Sequence, residues 1–267
     1  MNKSILGKTA LITGASSGIG EAFACELARR GCRLILTARS ADRLKALAGR
    51  LRSDYEGTEV WVVPADLTAS GAPEQLAGRL GREGHRVDML VNNAGFGKWA
   101  GFLDEEMEVY EQMMQLNLSA LVKLTYLLLP AMLEKGEGGV INIASTAAFQ
   151  PCPYFAVYGA GKAFVLSFSE ALYEEYRRRG ITVTAVCPGY TKTRFWEEAH
   201  MCTKGLSLTA PERVAREGLR AFLKGKNYRT TGGVFNYLMA QSSRLISRRL
   251  AVRVVGRMFR GRLLFRP

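Results

Sequence analysis

The sequence predicts an α/β protein, a doubly wound parallel sheet of about seven strands with helices on both faces. Three observations predict it. Short β-branched or apolar runs alternate with longer segments whose apolar residues fall three and four apart, a glycine-rich turn follows the first run, and 267 residues suffice for one large domain with a substantial core. Hydrophobic content of 48% and charged content of 23% are ordinary for a globular chain and argue against a disordered, collagenous or repeat architecture.

The elements justify the class one by one. Residues 9–13, 33–37, 60–65, 89–92, 140–145 and 182–187 read as buried strands, each closing near Gly, Pro, Asn, Asp or Ser. Between them 22–30, 104–135 and 155–179 carry helical periodicity. Strand and helix in alternation give a parallel sheet covered on both sides. The ligand crevice is then expected at the carboxyl ends of the strands. A boundary is expected near Gly232-Gly233, dividing a cofactor-binding and catalytic domain (1–233) from a basic helical extension (234–267).

Charge is segregated. The net charge is +13, yet residues 218–267 hold twelve basic residues and no acidic one, so the body is nearly neutral. Any electrostatic partner should therefore meet the tail. With no recognised nucleic-acid motif, nucleic-acid binding is not expected. The five cysteines are scattered, form no C-x-x-C and make no metal spacing with His85 and His200. No metal site is expected, and reduced thiols in a cytoplasmic protein are the simpler reading. The N-terminus lacks a signal-peptide core, and no run approaches 18 consecutive apolar residues, so no spanning helix is expected.

The first strand leads into Thr13-Gly14-Ala15-Ser16-Ser17-Gly18-Ile19-Gly20 and then a helix. Glycines there admit positive φ and let a phosphate reach the backbone, where exposed N–H groups and the helix dipole favour an anion. The turn lacks the Lys-Ser/Thr ending of an ATP-binding loop. The second strand ends Leu36-Thr37-Ala38-Arg39. An acidic residue at that point would grip a ribose 2′-hydroxyl, whereas Arg39 can pair with a 2′-phosphate; NADP is expected over NAD.

Tyr158 and Lys162 are four residues apart in a helical segment, with Cβ atoms about 6 Å apart. A free phenol has a pKa of about 10, and a neighbouring ammonium should lower it and make a better proton donor and base. Ser145, closing the fifth strand, is placed to hydrogen-bond a substrate oxygen. Asn117 could hold a water relaying protons to Lys162.

These residues in this order, with Asn92-Asn93-Ala94-Gly95 after the fourth strand, resemble the short-chain dehydrogenase/reductase family from about Lys8 to Gly233. Thr37-Ala38-Arg39-Ser40 and the stretch from Ile143 to Phe149 are most similar to its broad-specificity NADP-dependent branch. The resemblance implies a Rossmann-type fold and hydride transfer between NADP(H) and a carbonyl or alcohol, with Asn117, Ser145, Tyr158 and Lys162 catalytic. It implies that Gly14, Ser16, Ser17, Gly18, Ile19 and Gly20 line the phosphates. Asp66 and Leu67 would flank the adenine, and Asn93, Ala94 and Gly95 the adenosine ribose. Pro188-Gly189-Tyr190-Thr191-Lys192-Thr193 matches the family's P-G-x-x-x-T, implying that Thr191 and Thr193 contact the nicotinamide amide and that Lys162 also holds its ribose. The family's habit of pairing its two long helices implies a homodimer or homotetramer. Gly161 departs from the Ser or Thr common before the catalytic Lys.

Phe96, Trp99, Phe149, Tyr154, Phe195 and Trp196 are expected around the substrate oxygen, with 194–208 as a flap, so an apolar ketone, aldehyde, 3-oxoacyl or steroid-like substrate is expected. His200 in the flap is read as a surface residue. Residues 238–265 form a basic amphipathic pattern with Ile246, Leu250, Val254 and Met258 every four residues. Such a helix can pack on the body or a second subunit, or lie on an anionic membrane surface. A regulator that senses cofactor ratio through the same fold is the alternative function; such proteins commonly lack the Tyr or Lys retained here.

Overall fold

Alternate residues along each central strand feed two separate apolar cores. In β1 (Thr9–Thr13), Ala10 and Ile12 enter one core and Leu11 the other; in β2 (Arg33–Thr37), Leu34 and Leu36 part from Ile35 in the same way. The computed structural model describes residues 4–243 and 245–260. Five further strands, β3 (Val60–Val62), β4 (Met89–Asn92), β5 (Gly138–Ile143), β6 (Ile181–Pro188) and β7 (Tyr228–Thr231), complete a sheet of order β3-β2-β1-β4-β5-β6-β7. Every pairing is parallel. The order reverses between β1 and β4, and that switch point places the crevice.

Helices α1 (Gly18–Ala28), α2 (Ala41–Asp54), α3 (Ala72–Arg82), α4 (Met107–Met114), α5 (Ala120–Lys135), α6 (Ala156–Tyr176), α7 (Phe195–Glu198), α8 (Pro211–Leu223), α9 (Val234–Ser242) and α10 (Arg248–Arg260) supply the cover. Phe23 and Leu27 of α1, Leu44 of α2 and Phe222 of α8 fill one core. Leu76 and Leu80 of α3, Leu124 and Met132 of α5 and Leu172 of α6 fill the other.

Four differences from the sequence expectations have local causes. β3 stops at Val62 because Pro64 follows and brings no N–H to a ladder. β5 begins at Gly138, two residues before the first β-branched residue. A Cβ on Gly139 would collide with the Thr182 carbonyl of β6, so glycine allows that strand pair to close. The helix expected over 104–135 runs without interruption over Met107–Lys135, but a π-turn at Gln115–Ser119 joins α4 to α5. The tail is two helices. Ser243 ends the first by donating to the Phe149 carbonyl (2.8 Å), and the Ser247 hydroxyl caps the second by accepting from Leu250 N (3.3 Å). Arg244 and residues 261–267, the end of the predicted amphipathic pattern, lie outside the described residues.

The helical stretch Met107–Lys135 contains an 18-residue window apolar enough to cross a membrane by length and composition alone. Its Leu121, Leu124, Leu129 and Met132 are buried, so packing against the sheet and α3 accounts for much of that hydropathy.

Candidate active site

The carboxyl ends of β1 and β4 are tied together before any ligand is considered. Thr13 Oγ1 donates to the Val91 carbonyl (3.3 Å) and accepts from the backbone N–H groups of Asn93 and Ala94 (both 2.9 Å). Asn93 Nδ2 donates to the carbonyls of Thr13 (3.0 Å) and Gly14 (3.1 Å). Gly14 has φ +64°, and a Cβ there would stand 2.9 Å from Ala94 Cα. Gly20 does not line the crevice; a Cβ on it would collide with the Gly14 carbonyl, so its role is to let α1 approach the turn. Ser17 caps α1 without using its side chain in a capping bond, and Ser16, Ser17, Gly18 and Ile19 line the crevice. This is a cradle with room for a diphosphate at a helix N-terminus.

At one end of the cleft stand Ala38, Arg39, Ser40 and Arg43, with Asp66 and Leu67 opposite. Sequence reasoning found Arg39 and missed Ser40 and Arg43, although Arg43 sits one turn beyond Arg39 and the spacing alone could have found it. Burial tends to raise the Asp66 pKa, but bonds from the Thr68 hydroxyl (2.7 Å) and amide (3.0 Å), with Arg39 nearby, hold it low. The residues present fit a 2′-phosphorylated dinucleotide: two guanidinium groups at the end of β2 and no carboxylate directly after it.

The other end gathers Ser145, Tyr158 and Lys162 with Gly95, Phe96, Phe195 and Trp196. Ser145 follows β5, accepts from Ala147 N (3.1 Å) and bonds the Tyr158 hydroxyl. Tyr158 stacks on Phe155 (ring centroids 4.2 Å) and lies 5.3 Å from the Phe195 ring. One turn on in α6, Lys162 Nζ donates to the Ile143 carbonyl (2.7 Å) and lies 5.5 Å from the Tyr158 ring centroid. Both side chains are buried.

Burial decides both acidities. It pushes the Tyr158 phenol above its usual range, with the Ser145 bond acting against it. It brings Lys162 down to about 8. The expected acidification of the phenol is therefore not met in this arrangement. Enclosure removes hydration from phenolate and ammonium alike, and Nζ is turned to the Ile143 carbonyl.

Asn117 does not line the cleft. It sits in the π-turn, where its Oδ1 accepts from Phe96 N (3.1 Å) and its Nδ2 donates to Phe96 O (2.8 Å). Its side-chain amide is therefore spent on the Phe96 backbone. A Cβ on Gly95 would stand 2.7 Å from Asn117 Oδ1 and 3.9 Å from Lys162 Nζ, so the two residues do flank one glycine.

Pro188, which closes β6, and Gly189, Thr191 and Thr193 after it line the cleft. A Cβ on Gly18 would stand 2.9 Å from Thr193 Cγ2, which brings this segment over the diphosphate turn. Thr191 bridges to Thr209, and its carbonyl accepts from Trp196 Nε1 (2.8 Å).

Of the expected substrate residues, Phe195 and Trp196 of α7 are in place, as is Phe96. Phe149 and Tyr154 do not line the cleft. Phe149 turns to Tyr228 (6.0 Å) in a separate apolar cluster. Tyr154 has φ +64°, and its hydroxyl accepts from Arg260 of α10 (3.2 Å). Trp99 is buried behind the cleft, between Phe155 (5.0 Å) and Phe259 of α10 (4.4 Å). Arg194 and Glu198 of the expected flap also line the cleft, as do Leu116, Ala65, Ile143 and Ala144, which sequence reasoning missed.

Comparison with known proteins agrees with this geometry. The family model described as short chain dehydrogenase matches residues 8–201. A very-long-chain 3-oxoacyl-CoA reductase of Anas platyrhynchos is 39% identical over 195 residues, 71% of this chain and 61% of that protein. The chain thus spans less than two thirds of that relative. A short-chain dehydrogenase from Sphingobium yanoikuyae, solved in complex with NADPH, superposes with a TM-score of 0.79 at 38% identity, covering 84% of this chain and 87% of that one. A 7beta-hydroxysteroid dehydrogenase superposes with a TM-score of 0.84 at 27% identity, covering 96% of this chain and 100% of that one. The chain belongs to the short-chain dehydrogenase family.

Proposed function

We propose that this member of the short-chain dehydrogenase family is an NADP(H)-dependent oxidoreductase acting on the carbonyl or secondary alcohol of an apolar small molecule. The observation that carries it is the convergence of Ser145, Tyr158 and Lys162 on one cleft beside Phe195 and Trp196. Arg39, Ser40 and Arg43 would hold the 2′-phosphate, and the turn from Gly14 to Ile19 the diphosphate. The Asp66-Leu67 pair would flank the adenine, Asn93, Ala94 and Gly95 the adenosine ribose, and Lys162, Thr191 and Thr193 the nicotinamide half. When bound, the nicotinamide gives or takes the hydride.

The chain's own residues handle the proton. Ser145 Oγ and Tyr158 Oη, hydrogen-bonded to each other, both reach a substrate oxygen placed between them. A phenol held protonated by burial suits donation from Oη to that oxygen during reduction. Lys162, with a pKa brought to about 8, can return a proton to the phenolate near neutral pH. Phe195 and Trp196 exclude water and favour an apolar substrate such as a ketone, aldehyde, 3-oxoacyl thioester or steroid. The relatives that act on 3-oxoacyl and steroid substrates support that range. Tyr126, Leu127 and Phe164 are exposed on α5 and α6, and a homodimer or homotetramer built on that face would cover them.

The test is a spectrophotometric screen of NADPH oxidation across aldehydes, ketones, 3-oxoacyl esters and steroids, with Tyr158→Phe beside the wild type. Turnover confined to the wild type supports the assignment. Equal turnover by both would remove Tyr158 from the chemistry.

A further inference from the structure

The tail helix α10 has two apolar faces, and the body uses only one of them. Ala251 is 4% exposed, and Phe259 of the same face packs on Trp99 with ring centroids 4.4 Å apart. Arg260 Nε reaches the Tyr154 hydroxyl (3.2 Å), and Gly256 faces Pro153, which a Cβ would approach to 3.4 Å. The stripe that the sequence marks out, Leu250, Val254 and Met258, remains outside, at 48%, 43% and 52% exposure. Arg249, Arg253 and Arg257 repeat at the same spacing one position before each of its members and are exposed too. Among the described residues, packing on the body therefore leaves a basic amphipathic surface without a partner. Leu245 and Ile246 before the helix, and Val234, Phe235 and Leu238 of α9, add exposed apolar side chains.

We propose that this surface seats the protein on an anionic lipid bilayer, with Leu250, Val254 and Met258 at the acyl boundary and the arginines on lipid phosphates. Charge selects this occupant. Residues 218–267 contain no acidic side chain, so a tail-to-tail contact with a second copy would set arginine against arginine. A bilayer surface supplies anions and an apolar layer together. The docking helix also abuts the reaction centre: Trp99, on which Phe259 packs, shares its apolar cluster with Tyr158, Phe195 and Trp196. Resting on the oxidoreductase reading above, the substrate class is then a lipid-like carbonyl compound taken up beside the membrane.

The experiment is co-sedimentation of the full chain with vesicles of phosphatidylcholine alone or with one quarter phosphatidylglycerol. The wild type sediments with the anionic vesicles, is released by salt and ignores the neutral ones. Arg249→Gln, Arg253→Gln and Arg257→Gln together weaken partitioning on the order of a hundred-fold. A second set, Leu250→Glu, Val254→Glu and Met258→Glu, abolishes it. Both sets lie outside the catalytic cleft and keep NADPH turnover on a water-soluble ketone. If the Glu set fails to fold, the Gln set carries the test alone. A wild type that stays in the supernatant, or variants that sediment equally well, overturns the proposal. So does a change of oligomer size in the variants without a change in sedimentation. Sedimentation needs no turnover, so loss of the oxidoreductase reading would leave this result standing; stimulation of long-chain ketone reduction by anionic vesicles alone tests the two together.

Discussion

Replacing Lys162 by Met should abolish turnover and yet stabilise the protein at neutral pH. Burial lowers the Lys162 pKa from 10.5 to about 8, which corresponds to about 3 kcal/mol against the ammonium in the folded state. The unfolded chain holds its proton up to about pH 10.5, so between pH 8 and 10.5 it binds more protons than the folded one. Stability from this residue therefore rises with pH across that window, and the full penalty is present below pH 8. Methionine removes the penalty and leaves the Ile143 carbonyl without its 2.7 Å donor, at a cost of roughly 1–3 kcal/mol that does not vary with pH. The difference between variant and wild type thus carries a pH-dependent part of about 3 kcal/mol, or roughly 6 °C in Tm for a chain of this size. Thermal melts at pH 7 and pH 10, with both proteins free of cofactor, read it directly. The advantage of the variant should shrink by most of that amount at pH 10. Parallel melting profiles would refute the burial argument for Lys162.

Three further outcomes are expected. Tyr158→Phe lowers kcat by roughly 10²–10⁴-fold while NADPH binding, followed by nucleotide fluorescence, is retained; loss of binding would point to a structural role. Arg39→Asp raises the KM for NADPH by roughly 10- to 100-fold, the value of one charged hydrogen bond, and lowers that for NADH; an unchanged ratio of the two would assign 2′-phosphate recognition to Arg43 and Ser40. Gly20→Ala places a methyl group into the Gly14 carbonyl and Asn93 Nδ2, so Tm should fall by several degrees, about 1–3 kcal/mol of overpacking. NADPH affinity should fall with it, and a wild-type melt would show that the turn yields more easily than its packing suggests.

Several features were legible because each depends on a short stretch of chain. β1, β2 and β4 occur where the apolar runs place them, since a strand buried on both faces reads as such directly. The Gly-rich turn, Arg39 and the Tyr158–Lys162 spacing are local patterns too. β7, with the sequence Tyr-Arg-Thr-Thr, was not located, because four residues at a sheet edge carry almost no periodic signal. The π-turn was invisible for a different reason: within it Asn117 exchanges a pair of hydrogen bonds with the backbone of Phe96, 21 residues away, which local spacing does not reveal.

By itself the sequence determined the sheet, the Gly-rich turn and the Tyr158–Lys162 pairing along one helix. Tertiary structure decided their environment. Whether an ammonium acidifies a phenol depends on how much water both have lost and where Nζ points, and here burial and the Ile143 carbonyl reverse the simple expectation. In the same way the sequence marked one apolar stripe on the tail, but only packing could decide which face of α10 meets the body. Ala251 and Phe259 are positioned to fill the space beside Trp99, and the stripe of Leu250, Val254 and Met258 is left facing outward. Spacing fixes which residues share a face, whereas burial and direction depend on what the rest of the chain brings against it.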